Sequence, residues 1–262
     1  MGTKLQYLGW DAFIITSPQG VRLLLDPFIT GEEKTGVPAS TVKVEDVEVD
    51  LICASHASKD HFGNGFEILR NNPEAKLLGG VDIMYHAENE GFGTIFDGRA
   101  ELMVSGCLYN CKDLHIRTLD ARHISWTRTD VHGVPVPVTG VAHCYVISVD
   151  EGPTFFFGGD TSITSDFELW GKIYRPDVAM LGIGGTILYG GRSLDELDPV
   201  EAAIGAQMLG CKLVVPMHYA KPEYLEWFHR ECEGRLDHCK CLDMVSRDVV
   251  EFDKPLPYRK LR

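Results

Sequence analysis

Short apolar runs bounded by glycine, proline and aspartate recur along the chain, and their composition sets the predicted elements. LQYLGW, AFIITS, VRLLLD, DLICAS, AKLLGG, LHIRTLD, CYVISV, TFFFGG, DVAMLGI and LVVPMH are rich in β-branched, aliphatic and aromatic residues, which reads as strand. The first three, joined by short turns such as SPQG, predict an antiparallel meander. Helical stretches intervene: GFEILRNN, a segment near VDIMYHAENEG, DFELWGKIY, PVEAAIGAQML and PEYLEWFHREC. In DPVEAAIGAQMLG, Asp198 suits the cap, Pro199 the first turn and Gly210 the stop. Hairpins in front and alternating strands and helices behind predict an α/β chain of two sheets with helices outside. Residues 123–143, HISWTRTDVHGVPVPVTGVAH, read as one long loop, and a loop of that length in a compact domain is usually functional or mobile.

Composition then narrows the function. A single domain over residues 1–262 is expected, with a core large enough that neither disulfide nor metal is needed merely to fold. The chain carries 25 basic and 38 acidic residues, a net charge of −13, which disfavours nucleic acid and anionic membrane as partners. A small-molecule substrate is the expected partner, and an anionic one is compatible, because a bound metal reverses the local potential. No apolar stretch reaches the ~20 residues of a bilayer span, and MGTKLQYLGW lacks a signal-peptide segment. The eight cysteines form no compact framework, so reduced thiols and a cytoplasmic location are expected. CEGRLDHCKC lacks the paired spacing of a structural zinc site.

Position separates the ten histidines. In SHASKDHF, His56 and His61 flank Asp60 directly after an apolar strand, with Ser58 where a third histidine would suit a metal. His123, Asp160 and His218 each end a further apolar run. Strand ends at one rim of a sheet are where α/β scaffolds converge polar groups, and imidazole with carboxylate is the donor set of zinc, iron or manganese. Any one of these residues alone reads as packing or a turn cap; the set reads as metal.

These residues also carry a resemblance. The chain resembles the metallo-β-lactamase superfamily, and within it the branch of L-ascorbate-6-phosphate lactonase and related metal-dependent hydrolases. YLGWDAFIITSPQGVRLLLDPFITG is similar to that family's opening hairpins, SHASKDHF to its His-x-His-x-Asp-His motif except at Ser58, ARHIS to its downstream histidine, and GGDTS to its bridging aspartate. GIGGT, LDPVEAA and LVVPMHY are similar to its closing segments. The resemblance implies an αββα four-layer sandwich with the site at the rim of the two sheets. It implies one metal on His56 and His123, with Ser58 in place of an imidazole, and another on Asp60, His61 and His218, with Asp160 bridging. Trp10-Asp11 is a second departure, standing where relatives often carry a histidine and a small residue.

One or two divalent metals per chain are therefore expected, zinc first, with manganese or iron as alternatives. Asp60 is expected to orient the water nucleophile, Asp26 to fix a ligand imidazole, and Ser58 to hold a water or leave its side of the site weak. Trp126, His143, Tyr189 and Tyr219 are candidates for contact with substrate, and His143 also as a replacement ligand. The expected activity is hydrolysis of a small-molecule lactone, ester or amide. The alternatives are phosphodiester hydrolysis and a non-catalytic metal-binding protein. Relatives often form homo-oligomers, so self-association is an open expectation.

Overall fold

The computed structural model describes residues 2–94, 97–131, 133–185, 187–188, 192–193, 196–253 and 258–261. Two sheets face each other. In the first, the strand order is Tyr258–Leu261, Val249–Phe252, Thr3–Gly9, Ala12–Thr16, Arg22–Leu25, Leu51–Cys53, Lys76–Gly79 and Ala100–Leu102. Its meander half is antiparallel, and its last four strands are parallel. In the second, the order is Lys240–Cys241, Leu213–Met217, Val178–Gly182, Thr154–Phe157, Val134–Val149, Leu114–Val131 and Leu108–Cys111.

Alternation along each strand splits its side chains between two layers. Phe155 and Phe157 point between the sheets, where they meet Phe13, Leu25, Cys53 and Met180, while Phe156 points outward to Phe167 and Trp170. Helices Asp166–Tyr174, Pro199–Leu209 and Pro222–Arg235 cover that outer face. Gly65–Asn71 and Val81–Asn89 cover the outer face of the first sheet through Ile68, Leu69, Ile83 and Met84. Both faces of these strands are buried, which is why they read as continuous apolar runs. The result is the αββα sandwich. The helix start at Asp198 is as expected: its carboxylate accepts from Glu201 N, Pro199 opens the helix, and Gly210 ends it at φ 66°. Among the described residues no helix is long and apolar enough to cross a membrane.

Residues 123–143 correct the long-loop reading. Apart from His132, which lies outside the described residues, the segment continues two strands as an antiparallel ribbon, from Ile124↔Val141 to Val131↔Val134. Val134, Val136 and Val138 alternate in the sequence, but prolines fill the positions between the first two and after the second, and the ribbon has no fully buried face over residues 134–141. Pro135 and Pro137 stand in it opposite Asp130 and Arg128; proline is tolerated where one side of a strand lacks a ladder partner.

Candidate metal centre

The centre is built outward from Asp26. This residue follows strand Arg22–Leu25, is fully buried and holds φ 41°, a conformation that costs a non-glycine residue on the order of 1 kcal/mol or more. Its Oδ1 accepts from Ser55 N at 2.6 Å, and its Oδ2 from Ser55 Oγ at 2.7 Å. Oδ2 also accepts from His61 Nδ1 at 2.8 Å. Ser55 Oγ, having given its proton to Asp26, accepts from His56 Nδ1 at 3.0 Å. One carboxylate thus orients two imidazoles, His61 directly and His56 through Ser55. Each ring is left with Nε2 as its free nitrogen, the arrangement that fixes the tautomer of a ligating histidine.

Other elements bring the partners in. The Ser58 carbonyl accepts from His61 N and Phe62 N at 3.1 and 2.8 Å, starting the short helix Lys59–Phe62 that carries Asp60 and His61. The ribbon register breaks between Asp120 and Ile124, which takes His123 out of the ladder. Asp160 follows strand Thr154–Phe157 across Gly158 and Gly159, and a Cβ on Gly159 would stand 2.6 Å from Ser55 Cβ. His218 follows Leu213–Met217 at φ 52°. There Gly184 passes so close that a Cβ would lie 2.0 Å from the His218 carbonyl oxygen.

Asp160 is the shared point. Its Oδ2 lies 3.0 Å from His61 Nε2 and 3.7 Å from His123 Nε2, and its Oδ1 lies 3.4 Å from His218 Nε2. Asp60 Oδ2 stands 3.6 Å from His218 Nε2 and 3.9 Å from His61 Nε2. Two groups result: His56, His123 and Asp160 on one side, and Asp11, His61, Asp160 and His218 on the other. The Nε2 atoms of His56, His61 and His218 are buried without a hydrogen-bond partner; the 3.0 Å approach of His61 to Asp160 lacks hydrogen-bond alignment. Buried nitrogens converging on carboxylates without bonding to them fit a divalent cation between them.

Comparison with known proteins agrees with this geometry. The beta-lactamase superfamily domain matches residues 4–218. A UPF0173 metal-dependent hydrolase of Aeropyrum pernix is 32% identical over 95% of this chain and 98% of its own length. The chain belongs to the metallo-β-lactamase superfamily and, within it, to the UPF0173 metal-dependent hydrolases. A further UPF0173 hydrolase, from Thermococcus kodakarensis, is 33% identical over 82% of this chain and 84% of its own. Among solved structures, the metallo hydrolase Igni18 from Ignicoccus hospitalis is 26% identical and superposes with a TM-score of 0.77 over 97% of this chain and 99% of that one. An isothiocyanate hydrolase from Delia radicum gut bacteria shares the fold, with a TM-score of 0.71 at 15% identity over 95% of this chain and 99% of that one.

The electrostatics of this UPF0173 centre follow from burial and from the crossing of charges. Burial disfavours a charged His218, but Asp11, Asp160 and Asp60 outweigh it and raise the imidazole to about 10. His61 is likewise carried well above its ordinary value against burial, chiefly by Asp160 and Asp11. Asp160 and Asp60 are held low because neighbouring imidazoles overcome their desolvation. Burial and the adjacent His61 push His56 well down, leaving it neutral and ready to ligate. Asp11 moves the other way: burial dominates and lifts it to about 8, despite His218 and His61.

The remaining candidates divide. Trp126 is 47% exposed and lines a cavity of about 730 Å³ together with Ser58, Asp60, Phe66 and Arg128. A second cavity, about 450 Å³, is lined by Trp10, Phe28, Val37, Lys59, Asp60 and His218. Tyr219 packs against the outer core beside His218 and lines neither cavity. His143 lies outside both ligand groups. It is buried, its backbone N–H bonds to the Ser55 carbonyl, and burial lowers its ring to about 4. The structure therefore does not place it as a replacement ligand or in either of these cavities; its ring lies beside Gly80 and Tyr145. Tyr189 lies outside the described residues. A cavity of about 570 Å³ near Gly2, Pro18 and Glu251 contains none of the ligand residues. Three residues at the centre have no role in the sequence reading: Ser55, Asp11, and Glu196, whose Oε2 lies 3.7 Å from His218 Nδ1. Asp11 alone leaves a signal, as half of the Trp10-Asp11 departure.

Proposed function

We propose that this hydrolase cleaves a lactone, ester or amide bond in a small molecule. The observation that supports this most is the position of Asp60. Its Oδ2 lies 3.6 Å from His218 Nε2, and it also lines both neighbouring cavities. Those cavities, about 450 and 730 Å³, suit small ligands, which typically occupy ~300–1,000 Å³. In this reading Asp60, His61, His218 and Asp160 would hold one divalent ion, and His56, His123 and Asp160 would hold a second. Zinc, manganese or iron matches the imidazole and carboxylate donors. The bound ion supplies Lewis acidity and a water nucleophile at neutral pH by lowering the pKa of water to about 7.

The chain's own residues do the rest. Asp60 is 39% exposed at its side chain and held ionised, so it would accept a hydrogen bond from a water brought to the centre and orient it. Trp10, Phe28 and Val37 exclude water on one side, and Trp126 and Phe66 on the other. Lys59, Lys221 and Arg128 line these cavities and attract a polar or anionic substituent, although Lys59 already pairs with Glu32 at 2.5 Å. The resemblance to L-ascorbate-6-phosphate lactonase favours a sugar-derived lactone. Initial rates on matched sugar lactones, aliphatic lactones, aryl esters, amides and phosphodiesters, with added Zn²⁺ or Mn²⁺, test the proposal. Turnover of a lactone, ester or amide above the phosphodiesters is expected. Preference for the phosphodiesters, or no turnover of any panel, overturns it.

A further inference from the structure

Asp11 has no role in the ligand set that the resemblance supplies, and its surroundings call for one. It sits in the turn between strands Thr3–Gly9 and Ala12–Thr16, preceded by Trp10 at φ 54°. The Trp10 carbonyl is fixed by the Tyr7 hydroxyl, which donates to it at 2.9 Å, and by the His218 backbone N–H at 3.4 Å. The Trp10 ring lies against the His218 imidazole, with centroids 4.3 Å apart. These contacts drive the next side chain inward. The Asp11 side chain is fully buried, and neither of its oxygens has a hydrogen-bond partner. An ionised carboxylate in that state is strongly disfavoured unless a cation or donors meet it.

The cation expected at this centre is placed to do so. Asp11 Oδ2 lies 3.7 Å from His218 Nε2, beside Asp60 Oδ2 at 3.6 Å and Asp160 Oδ1 at 3.4 Å from the same nitrogen. Donors ~2.1 Å from one tetrahedral ion stand about 3.4 Å apart, so these spacings are those of co-ligands. The other reading makes Asp11 a partner of the outward His61 nitrogen, 3.2 Å away. That nitrogen is already bonded to Asp26 at 2.8 Å, and the Asp11 approach has no hydrogen-bond alignment.

We propose that Asp11 is a metal ligand, completing the His61 and His218 side of the centre with a third carboxylate beside Asp60 and Asp160. The chain then offsets the imidazole missing at Ser58 by strengthening the opposite side, and holds its tightest ion on an oxygen-rich set. The inference rests on the metal-dependent reading of the centre but not on any substrate class.

Zinc affinity by chelator competition, the visible spectrum of the Co²⁺-loaded protein and the melting temperature of the metal-stripped protein test it in Asp11→Asn. Affinity at the tight site should fall by more than the ~10–100-fold that loss of an outer partner costs. The Co²⁺ bands should change in intensity and position, and the stripped variant should melt higher than the stripped parent, since a buried unpaired carboxylate is gone. An unchanged Co²⁺ spectrum with a loss of 100-fold or less overturns the assignment. Asp160→Asn in the same titration separates the two failures. If it too leaves zinc binding intact, the metal reading itself fails; if it alone loses zinc, only the role of Asp11 does. Should Asp11→Asn not fold, anomalous diffraction from zinc-soaked crystals of the unaltered chain decides. An ion within about 2.2 Å of an Asp11 oxygen supports the proposal, and an ion well beyond that distance overturns it.

Discussion

Asp26 Oδ2 accepts a hydrogen bond from His61 Nδ1 at 2.8 Å while the same carboxylate takes both donors of Ser55. The consequence is directional. His61 and His56 are held as one unit, with His61 Nε2 3.0 Å from Asp160 Oδ2 and the His56 ring 4.9 Å from that of His123, and Asp26 belongs to neither ligand group.

Asp26→Asn keeps the shape and tolerates the left-handed backbone at φ 41°, but supplies only one oxygen for three donors. Metal affinity should fall roughly 10–100-fold with the fold retained. Ser55→Ala should weaken the His56 side selectively. Chelator competition with circular dichroism checks both. An Asp26 variant with parental affinity would remove this carboxylate from the design of the centre.

Ser58→His should place an imidazole next to His56 and His123, where among the described residues Asp160 is the third member of the group. The expected result is tighter binding of a second ion, seen as a rise in metal retained per chain after mild chelation. Superimposed titrations of mutant and parent would mean that position 58 faces the cavity shared with Trp126 and not the metal.

Asp160→Ala and His218→Ala should abolish turnover while leaving secondary structure intact, because the core between the sheets is built by residues such as Phe13, Phe155 and Phe157. Thermal melts recorded beside initial rates check this. Outright unfolding would make these two side chains structural.

Alkaline pH should destabilise the metal-stripped protein. His218 is raised from 6.5 to about 10 in the fold, so its contribution is complete below pH ~6.5 and is lost as pH climbs through ~10. Asp11, raised from 3.8 to about 8, adds the same sign over the lower part of that range. Melting temperature should therefore decline from about pH 6.5 upward. Saturating zinc, which replaces the imidazole protons, should flatten the decline and release protons on binding at pH 7. A flat alkaline profile of the stripped protein would contradict the charge arrangement.

Much of this centre is legible in the amino-acid sequence. His56, Asp60, His61, Asp160 and His218 each follow an apolar strand, and strand ends of two facing sheets converge at one rim. What is not legible depends on contacts between distant segments. Ser55 joins Asp26 across 29 positions, and nothing local distinguishes it from other serines near a strand end. Asp11 reads as a turn residue until the fold carries it to His218, 207 positions along the chain. The ribbon after His123 reads as a loop because prolines interrupt the alternating valines of one strand, while the other buries Ser125 and Thr129 and exposes Ile124 and Trp126. His143 stands beside that segment in sequence and so reads as a neighbour of the site, yet its ring lies beside Gly80 and Tyr145 and joins neither ligand group.

The central claim is that turnover depends on the ion held by His61, His218 and Asp160. Staged chelation of the purified protein, with elemental analysis and initial rate on a responsive lactone or ester measured at each stage, tests it most directly. The ion on the His56 and His123 side should leave first, and hydrolysis should disappear only with the last ion and return on adding zinc or manganese. Full turnover in protein stripped of metal would contradict the account.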